Sequence, residues 1–410
     1  GSAYTFTYTT VGEIVAWVIG WDLILEMLMA GSVVSKYWGV YLNQFFELIG
    51  WNINTNIAIG SFNFDLAPVI IVAFFTALLV MGTKIGARVD GALTILKIAI
   101  VVFIVVVGFF YIKAENFTPF IPPSEPAAST DGSGVSAVME QPLWQWATGM
   151  APSIYGVTGI ISGAALVFFA FLGFDVVATA SEETINPKKN VPLGIGVGLG
   201  LIIVLYTLVA IVTTGMVSYK DLAKQPDPSL AVAFKMVGAD WAAKIISLGI
   251  VIGMATVVMV LLLGLTRVVF AMSRDGLLPR GLSHTGKHGT PVRLQIIVGV
   301  VMALIAACCN VGILSDMVNI GTLSAFTLVA ISIPIMRKKR PDLERSFKIP
   351  GNPWVPILIA LANLWLMVNL SVLTWIRFVV WLIVGFAIYF GYGYRHARLG
   401  AGELEVAAQE

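Results

Sequence analysis

Charged residues are scarce in this chain. Only 12% of its 410 residues are Asp, Glu, Lys or Arg, whereas 58% are apolar, and the mean hydropathy is +0.89. Soluble proteins carry roughly 25% charged residues, so this composition excludes an ordinary soluble domain and indicates a membrane protein. The formal net charge is only +2, and the basic residues form no patch of the kind that binds nucleic acid. We therefore expect membrane lipid, and no nucleic acid, among its partners.

Side chains that hold metals or carry out catalysis are also few. The three histidines, His284, His288 and His396, have no Cys, Asp or Glu around them at the spacing of metal ligands. Cys308 and Cys309 are neighbours in an apolar run, and we interpret them as small buried side chains. The sequence therefore predicts no metal, no cofactor and no catalytic residues, and it disfavours an enzyme.

A phosphate-binding Walker loop is absent as well, which disfavours a pump driven directly by ATP. Four glycines alternate with apolar residues from Gly194 to Gly200. No strand precedes them, so we interpret them as a surface for close helix packing rather than as a nucleotide site.

Long apolar runs are what the chain has instead. A helix needs about 20 apolar residues to cross roughly 30 Å of hydrocarbon. By this criterion the sequence predicts an all-α integral membrane protein with about ten transmembrane helices. The predicted spans are 11–37, 66–82, 89–112, 156–181, 193–217, 242–272, 292–309, 315–336, 353–371 and 374–394.

Basic residues are unequally divided between the two sides of this ten-helix arrangement. Seventeen of the 25 Lys and Arg residues fall on one side and seven on the other, and the remaining one, Lys97, lies within a span. Because cytoplasmic loops are enriched in Lys and Arg, the side with seventeen is predicted to be cytoplasmic, together with both ends of the chain.

The most unusual apolar segment runs from Ala165 to Asp175. It carries a carboxylate at Asp175 and a helix-weakening glycine at Gly173, where the middle of the bilayer is expected. A charge and an interrupted backbone are both costly in lipid, so such a segment normally lines a cavity. The sequence therefore predicts a binding-site helix here.

Two acidic residues share one face of the first span. Asp22 and Glu26 are four residues apart. Two neighbouring carboxylates can hold one proton between them, because like charges so close together are costly. The structural alternative is that Glu26 bonds a neighbouring hydroxyl and Asp22 orients a loop or a helix end. The residues alone leave both interpretations open.

Lys97 also allows two interpretations. It lies roughly 8 residues from the cytoplasmic end of its span, or about 12 Å deep, which is short of the midplane. Its aliphatic stem is long enough to bring the ammonium group most of the way to the interface. A lysine held in a dry interior instead gives up its proton readily, as a proton-coupling site requires.

Several blocks of residues, taken in order, resemble one family of transporters. The blocks are Gly1-Ser-Ala-Tyr4, Thr10-Val-Gly-Glu-Ile-Val-Ala16, Gly20-Trp-Asp-Leu-Ile-Leu-Glu26, Phe168-Phe-Ala-Phe-Leu-Gly-Phe-Asp175, Glu182-Glu-Thr-Ile-Asn-Pro187, Ala271-Met-Ser-Arg-Asp-Gly-Leu-Leu-Pro279 and Gly321-Thr-Leu-Ser-Ala-Phe-Thr327. They resemble the amino acid, polyamine and organocation (APC) transporters, in particular the cationic amino acid transporters and their bacterial relatives. The resemblance extends from the first residue to about Pro350.

This resemblance implies a fold of two inverted five-helix repeats and two additional helices, with substrate held where the first helix of each repeat is broken. The chain matches such a fold without its first two helices, so we expect that Gly1 is not the protein's own N-terminus. The implied domains are the last three helices of the first repeat (1–112), a long extracellular loop (113–155), the second repeat (156–336), two C-terminal helices (353–394) and a cytoplasmic tail (395–410).

The resemblance also implies which residues bind substrate. Carbonyl oxygens between Phe169 and Leu172 would bind the α-ammonium group, Phe169 would close over the substrate, and Met259 would form the floor of the side-chain pocket. The alternative for the three phenylalanines is that they are ordinary core residues. The full substrate-binding set is Phe168, Phe169, Ala170, Phe171, Leu172, Gly173 and Met259.

Proton coupling is implied at three further positions. Lys97 matches the lysine that takes the place of a sodium ion in proton-coupled members of the family. Asp175 matches an acidic residue that couples to proton movement in some relatives, although it is also placed to cap the second half of the broken helix. Glu26 is the third candidate.

The sequence thus predicts proton-coupled secondary transport of L-amino acids across the cytoplasmic membrane by alternating access. The alternatives are an exchanger without net proton coupling, a sensor that binds amino acids without transporting them, and an intramembrane enzyme that uses Asp22 and Glu26. The branch of the family suggests cationic substrates. The stretch from Phe168 to Gly173 contains no carboxylate, so small neutral amino acids are equally open. The sequence does not determine the oligomeric state.

Overall fold

The computed structural model describes residues 4, 7–8, 12–53, 55–59, 62–82, 87–127, 137–179, 184–286, 290–339, 341 and 348–397. Within these ranges nearly every ordered element is a helix, which confirms the all-α class. Four short strands form two antiparallel pairs, β1 (Asn56–Ile59) with β2 (Phe62–Asp65) and β3 (Glu125–Pro126) with β4 (Ser153–Ile154). Residues 1–3, 10–11 and 182–183 of the blocks quoted above, and the tail from residue 398, lie outside the described residues.

The helices follow one another in the order that the apolar runs predict. They are α1 (Glu13–Leu48), α2 (Leu66–Val80), α3 (Ala87–Phe109), α4 (Ala137–Glu140), α5 (Leu143–Ala147), α6 (Gly156–Val167), α7 (Phe174–Thr179), α8 (Pro187–Met216), α9 (Tyr219–Ala223), α10 (Leu230–Met236), α11 (Asp240–Arg274), α12 (Val292–Cys308), α13 (Val311–Lys339), α14 (Trp354–Val368), α15 (Val372–Ile388) and α16 (Tyr394–His396). Single 3₁₀ turns occur at Ala114–Phe117, Phe168–Phe171 and Arg280–Ser283, and a π-helical turn occurs at Tyr389–Gly393.

Six helical segments of the described residues are long and apolar enough to cross a membrane. They are α1, the part of α3 from Gly91, α8, α11, α13 and the segment Val372–His396, and shorter apolar helices occur at α2, Gly156–Phe171, α12 and α14. Each predicted span coincides with one of these ten. The main difference is that α1 continues to Leu48, because the polar residues after position 37 end the apolar run without ending the helix.

The first long helix, α1, lies at the centre of the structure. It packs most extensively against α11 and α13, and it also contacts α2 and α12. Gly321 of α13 permits one of these close approaches, since a Cβ atom there would lie 3.0 Å from Cδ2 of Leu25. As a result α1 is buried along most of its length.

The faces of α3 and α8 are open by comparison. Only 6% of the apolar window of α8 is buried, against 78% for α1. At Gly194, Gly196, Gly198 and Gly200, no heavy atom of the described residues lies within 4 Å of where a Cβ would be. The interpretation of these glycines as a close-packing surface is therefore wrong for this structure.

Candidate functional site

The helix that follows the long loop is interrupted at the predicted place. The regular helix α6 ends at Val167, one 3₁₀ turn follows, and Leu172 has an extended backbone with φ −59° and ψ 143°. Gly173 then has a φ of +109°, and α7 begins at Phe174. A positive φ is accessible to glycine at little cost. The segment Phe168–Gly173, which we name the break, is therefore encoded locally by its glycine.

Side chains from two other helices bond to the backbone around the break. Nδ2 of Asn319 in α13 donates to the carbonyl oxygen of Leu166 at 3.1 Å, and the hydroxyl of Tyr206 in α8 donates to the carbonyl oxygen of Ala170 at 2.9 Å. Backbone groups released by a broken helix need such partners inside a membrane protein. These bonds attach the break to α13 on one side and to α8 on the other.

Aromatic rings follow the same division. Phe326 of α13 contacts Phe168 and Phe174, with ring centroids 6.3 Å and 5.2 Å apart, while Phe171 contacts Tyr206 of α8 at 5.3 Å. Edge-to-face and tilted pairs at such distances are favourable beyond the area that they bury. The aromatic residues of the break thus hold it between α8 and α13.

Two residues of the break point toward the centre of the protein. Phe169 and Leu172 pack against a small cluster of buried side chains formed by Ala30 of α1, Leu261 of α11 and Val318 of α13. The junction of these three helices is therefore the wall that a molecule bound at the break would face.

Met259 lies on a different face of α11. The face that meets Phe169 and Leu172 carries Val257 and Leu261, whereas Met259 is partly buried against the cluster shared by α1, α2, α11 and α12. The structure does not bring Met259 into one cluster with Phe169, and its role in the side-chain pocket stays a prediction.

Buried polar groups connect α1 with α13. Asp22 is fully buried, and its Oδ2 accepts a hydrogen bond from the hydroxyl of Ser324 at 2.8 Å, while its Oδ1 accepts none from the described residues. Glu26, one turn further along, is 1% exposed. Asp22 thus bonds a neighbouring hydroxyl, while the hydroxyl bond considered for Glu26 and the sharing of a proton between the two carboxylates stay predictions.

Lys97 is half-buried on α3, and its stem lies against α11. A Cβ atom at Gly253 would be 3.2 Å from Cγ of Lys97, so the absence of a side chain at Gly253 makes room for the lysine stem. The side chain of Asp175 is outside the described part of the structure. Its predicted association with Lys97 therefore stays a prediction.

A cavity of about 980 Å³ lies beside α6. Its lining comes from the segment between α3 and α6, from α6 itself down to Leu166, from the ends of α8 and α13, and from the turn between α14 and α15. Leu166, two residues before Phe168, is the last residue of α6 in this lining, and the residues of the break are not part of it.

Sequence reasoning missed the side chains that bond the backbone around the break and the carboxylate of Asp22. Asn319 and Ser324 had a usable signal, since a polar residue in an apolar span is normally buried against a partner. Tyr206 had none, because a tyrosine in an apolar helix is equally suited to the membrane interface.

Comparison with known proteins agrees with this architecture. The model of one family, described as amino acid permease, matches residues 1–391. The branched-chain amino acid permease BcaP of Bacillus subtilis is 41% identical over 409 residues, which cover 97% of this chain and 80% of that protein. The methylthioribose transporter of Bacillus subtilis is 39% identical with the same coverage, and human cationic amino acid transporter 4 is 28% identical, covering 98% of this chain and 78% of that protein.

These relatives are transporters and not enzymes, which agrees with the prediction that the chain is not an enzyme. The apolar helices and the family together establish an integral membrane protein. On the match over residues 1–391, the chain belongs to the amino acid permease family of the APC superfamily.

Proposed function

We propose that the protein carries out proton-coupled secondary transport of L-amino acids across the cytoplasmic membrane by alternating access. The observation that carries the proposal is the break, which faces Ala30, Leu261 and Val318 at the junction of three helices. Interrupted helices of transporters offer backbone groups to the ammonium and carboxylate of a substrate. Relatives named for branched-chain and cationic amino acids support amino acids as the substrate class.

The arrangement that we propose keeps the repeat boundaries of the sequence analysis. Residues 156–336 act as one five-helix repeat whose first helix is broken, and residues 113–155 lie on the outer side. Substrate enters from that side, binds at the break and leaves to the cytoplasm when one group of helices tilts against the other. The distribution of Lys and Arg supports this orientation, with both chain ends cytoplasmic.

Proton coupling is assigned to Lys97, together with Asp175 and Glu26. The stem of Lys97 lies against Gly253 of α11, and Leu261 of the same helix packs with Phe169 of the break. A change in the charge of Lys97 therefore acts on a helix that contacts the proposed substrate site. This contact supports coupling between the two.

The test is uptake of labelled L-leucine and L-lysine into proteoliposomes that contain the intact protein. We expect accumulation when the outside is more acidic than the lumen, and little without a gradient. Lys97→Ala should remove the dependence of uptake on pH, because the group that exchanges the proton is gone. Lys244→Ala, an exposed lysine of α11, is the matched control and should behave like the wild type.

Each other outcome has a definite meaning. An unchanged pH dependence in Lys97→Ala would contradict the coupling assignment. Uptake that requires amino acid inside the vesicles indicates an exchanger, and binding without accumulation indicates a sensor. Labelled methylthioribose is included because one relative is named for it, and uptake of that compound without uptake of amino acids would contradict the substrate class.

A further inference from the structure

Two carboxylates line the cavity beside α6. Asp316 and Glu140 are the charged residues among its described lining side chains, and Lys, Arg and His are absent from that lining. A cleft with low-dielectric walls and one sign of charge concentrates ions of the opposite sign. The cavity is therefore suited to collecting cations.

One of the two carboxylate oxygens of Asp316 has a hydrogen-bond donor among the described residues, and the other has none. Asp316 lies near the start of α13, where its Oδ2 accepts a hydrogen bond from the Thr374 hydroxyl at 3.2 Å. Its Oδ1 accepts no hydrogen bond from the described residues. Arg377 attracts the carboxylate electrostatically from one turn further along α15, but the ion pairs within the described residues do not include Asp316. One oxygen therefore remains for a donor that enters the cavity.

Gln141 supplies a second acceptor. Its side chain lines the cavity and is only 6% exposed, yet its Oε1 accepts no hydrogen bond from the residues that the structure describes. A buried amide oxygen without a donor is costly and needs an explanation. The backbone nitrogen of Val372 donates to the carbonyl oxygen of Gln141 at 3.1 Å. Val372 comes two residues before Thr374, whose hydroxyl bonds Asp316. Gln141 is therefore attached to the same turn of α15 that bonds Asp316.

Aromatic rings complete the lining. Tyr155 and Tyr219 meet edge to face with ring centroids 5.4 Å apart, and both line the cavity. Cations bind favourably to the faces of such rings. The neighbouring Lys220 lies over the Tyr155 ring at 5.1 Å, but its charge is already paired with Glu125 at 2.8 Å. Lys220 is thus paired with a residue outside the cavity lining.

The cavity is connected to the break through α13. Asn319, one turn after Asp316, bonds the carbonyl oxygen of Leu166, and Leu166 lines the cavity. The break begins two residues later. A molecule bound near Asp316 therefore lies beside the helix that ends in the proposed transport site.

We propose that this cavity is an outer recognition site for amino acids with a cationic side chain. Asp316 is the specificity-determining residue and accepts a hydrogen bond from the substrate's ammonium or guanidinium group, and Gln141 supplies the second acceptor. The inference rests on the proposed function for its orientation and for the identity of the transported class. It goes further by assigning the choice between cationic and neutral side chains to two residues outside the break.

The test measures equilibrium binding of labelled L-lysine and L-leucine to the intact protein in detergent, next to uptake in proteoliposomes. Asp316→Asn should weaken L-lysine binding about tenfold, as expected for the loss of one hydrogen bond to a charged group. L-leucine binding should be unchanged, and the KM for L-lysine uptake should rise by the same factor at a similar maximal rate. Asp240→Asn, an exposed carboxylate of α11, is the matched control and should leave both ligands unaffected.

Two further variants separate recognition from folding. Asp316→Glu retains the charge and should recover most of the L-lysine affinity. Gln141→Leu keeps every carboxylate and should weaken L-lysine binding about threefold through the lost acceptor. If Asp316→Asn does not fold, Gln141→Leu decides alone, and unchanged L-lysine affinity in that variant overturns the proposal.

The remaining outcomes distinguish this proposal from the proposed function. Equal L-lysine affinity in the wild type and Asp316→Asn overturns the recognition site, as does a parallel loss of L-leucine and L-lysine binding in folded protein. Wild-type protein that transports L-leucine but does not bind L-lysine leaves the proposed function standing and removes this site. Asp316-dependent binding of L-lysine without any transport would support this site and contradict the proposed function.

Discussion

Two long apolar helices, α1 and α8, differ in how much of their surface is buried. They have 36 and 30 residues, and both are apolar enough to cross a membrane. The protein nevertheless buries 78% of the apolar window of α1 and only 6% of that of α8. Hydrophobicity therefore indicates that both are membrane helices, but it does not determine which one is packed against the other described helices.

Polar side chains are the difference between them. The helix α1 contains buried Asp22, Glu26 and Ser32, whereas α8 carries its charges, Lys188 and Lys189, at its first turn. A buried polar side chain is costly in lipid and needs protein partners. The hydroxyl of Ser32, for example, donates to the carbonyl oxygens of Leu28 and Met302. Burial of α1 is thus a consequence of its polar groups as much as of its apolar ones.

The strongest test of the difference between α1 and α8 adds a side chain at a packed position beside α1 and at an open position of α8. Gly385 of α15 lies against the indole of Trp21 in α1. That indole donates a hydrogen bond to the carbonyl oxygen of Trp381 and stacks on the Trp381 ring, so it cannot easily move away. Gly385→Leu should therefore destabilise the protein by about 3 kcal/mol through overpacking. The measurement is the apparent melting temperature in detergent, followed by gel filtration after heating.

The matched substitution on the open side is Gly198→Leu. No heavy atom of the described residues lies within 4 Å of a Cβ at that position, so the expected change is about 0.5 kcal/mol or less. An equally large loss in both variants would contradict the comparison, because it would show that the glycine row of α8 is packed in the intact protein.

The second prediction removes one polar partner of α1. Ser324→Ala leaves the buried carboxylate of Asp22 without its one hydrogen bond from the described residues, and this should cost about 2 kcal/mol. Asp22→Asn should cost less in the Ser324→Ala background than alone, since the two residues share one interaction. The melting temperatures of the four proteins measure the coupling.

Ser247→Ala is the control for the loss of a buried serine hydroxyl. Ser247 is fully buried on α11, but its hydroxyl makes no hydrogen bond with the described residues. Its replacement should be neutral or slightly stabilising, because an unpaired buried hydroxyl is removed. If both serine variants lose the same stability, the partner of Asp22 is not what holds α1 and α13 together.

Local signals in the sequence were sufficient to locate the apolar helices and the break. Ten apolar runs coincide with ten helical regions, since length and apolarity are properties of a segment by itself. Gly173 likewise marks the break by its own conformational freedom, and the structure has a φ of +109° there. These features need no information about neighbouring helices.

Features that depend on neighbouring helices could not be predicted from the sequence. Tyr206 lies 36 residues from Ala170, and Asn319 lies 153 residues from Leu166, so neither pairing has a local signature. The prediction that the glycines of α8 form a packing surface failed for the same reason. Small residues permit close packing but do not supply the partner. The role of Met259 depends likewise on which face of α11 meets the break.

The third and smallest prediction concerns the point where α8 reaches the break. Tyr206→Phe removes the hydrogen bond to the carbonyl oxygen of Ala170 and keeps the ring contact with Phe171. The expected loss of stability is about 1 kcal/mol, because Tyr206 is partly exposed and the carbonyl group retains a second lone pair. If that oxygen binds the substrate's ammonium group, losing the bond that positions it should raise the KM for amino acid uptake.

Tyr394→Phe provides the matched control at the other end of the chain. Tyr394 is exposed, and its hydroxyl makes no hydrogen bond with the described residues, so neither melting temperature nor KM should change. A higher KM in Tyr206→Phe at nearly unchanged stability would mean that α8, despite its open face, positions the backbone of the break. An unchanged KM with the expected loss of stability would mean that Tyr206 only holds the break in place, and that the recognition of substrate belongs to the buried side formed by α1, α11 and α13.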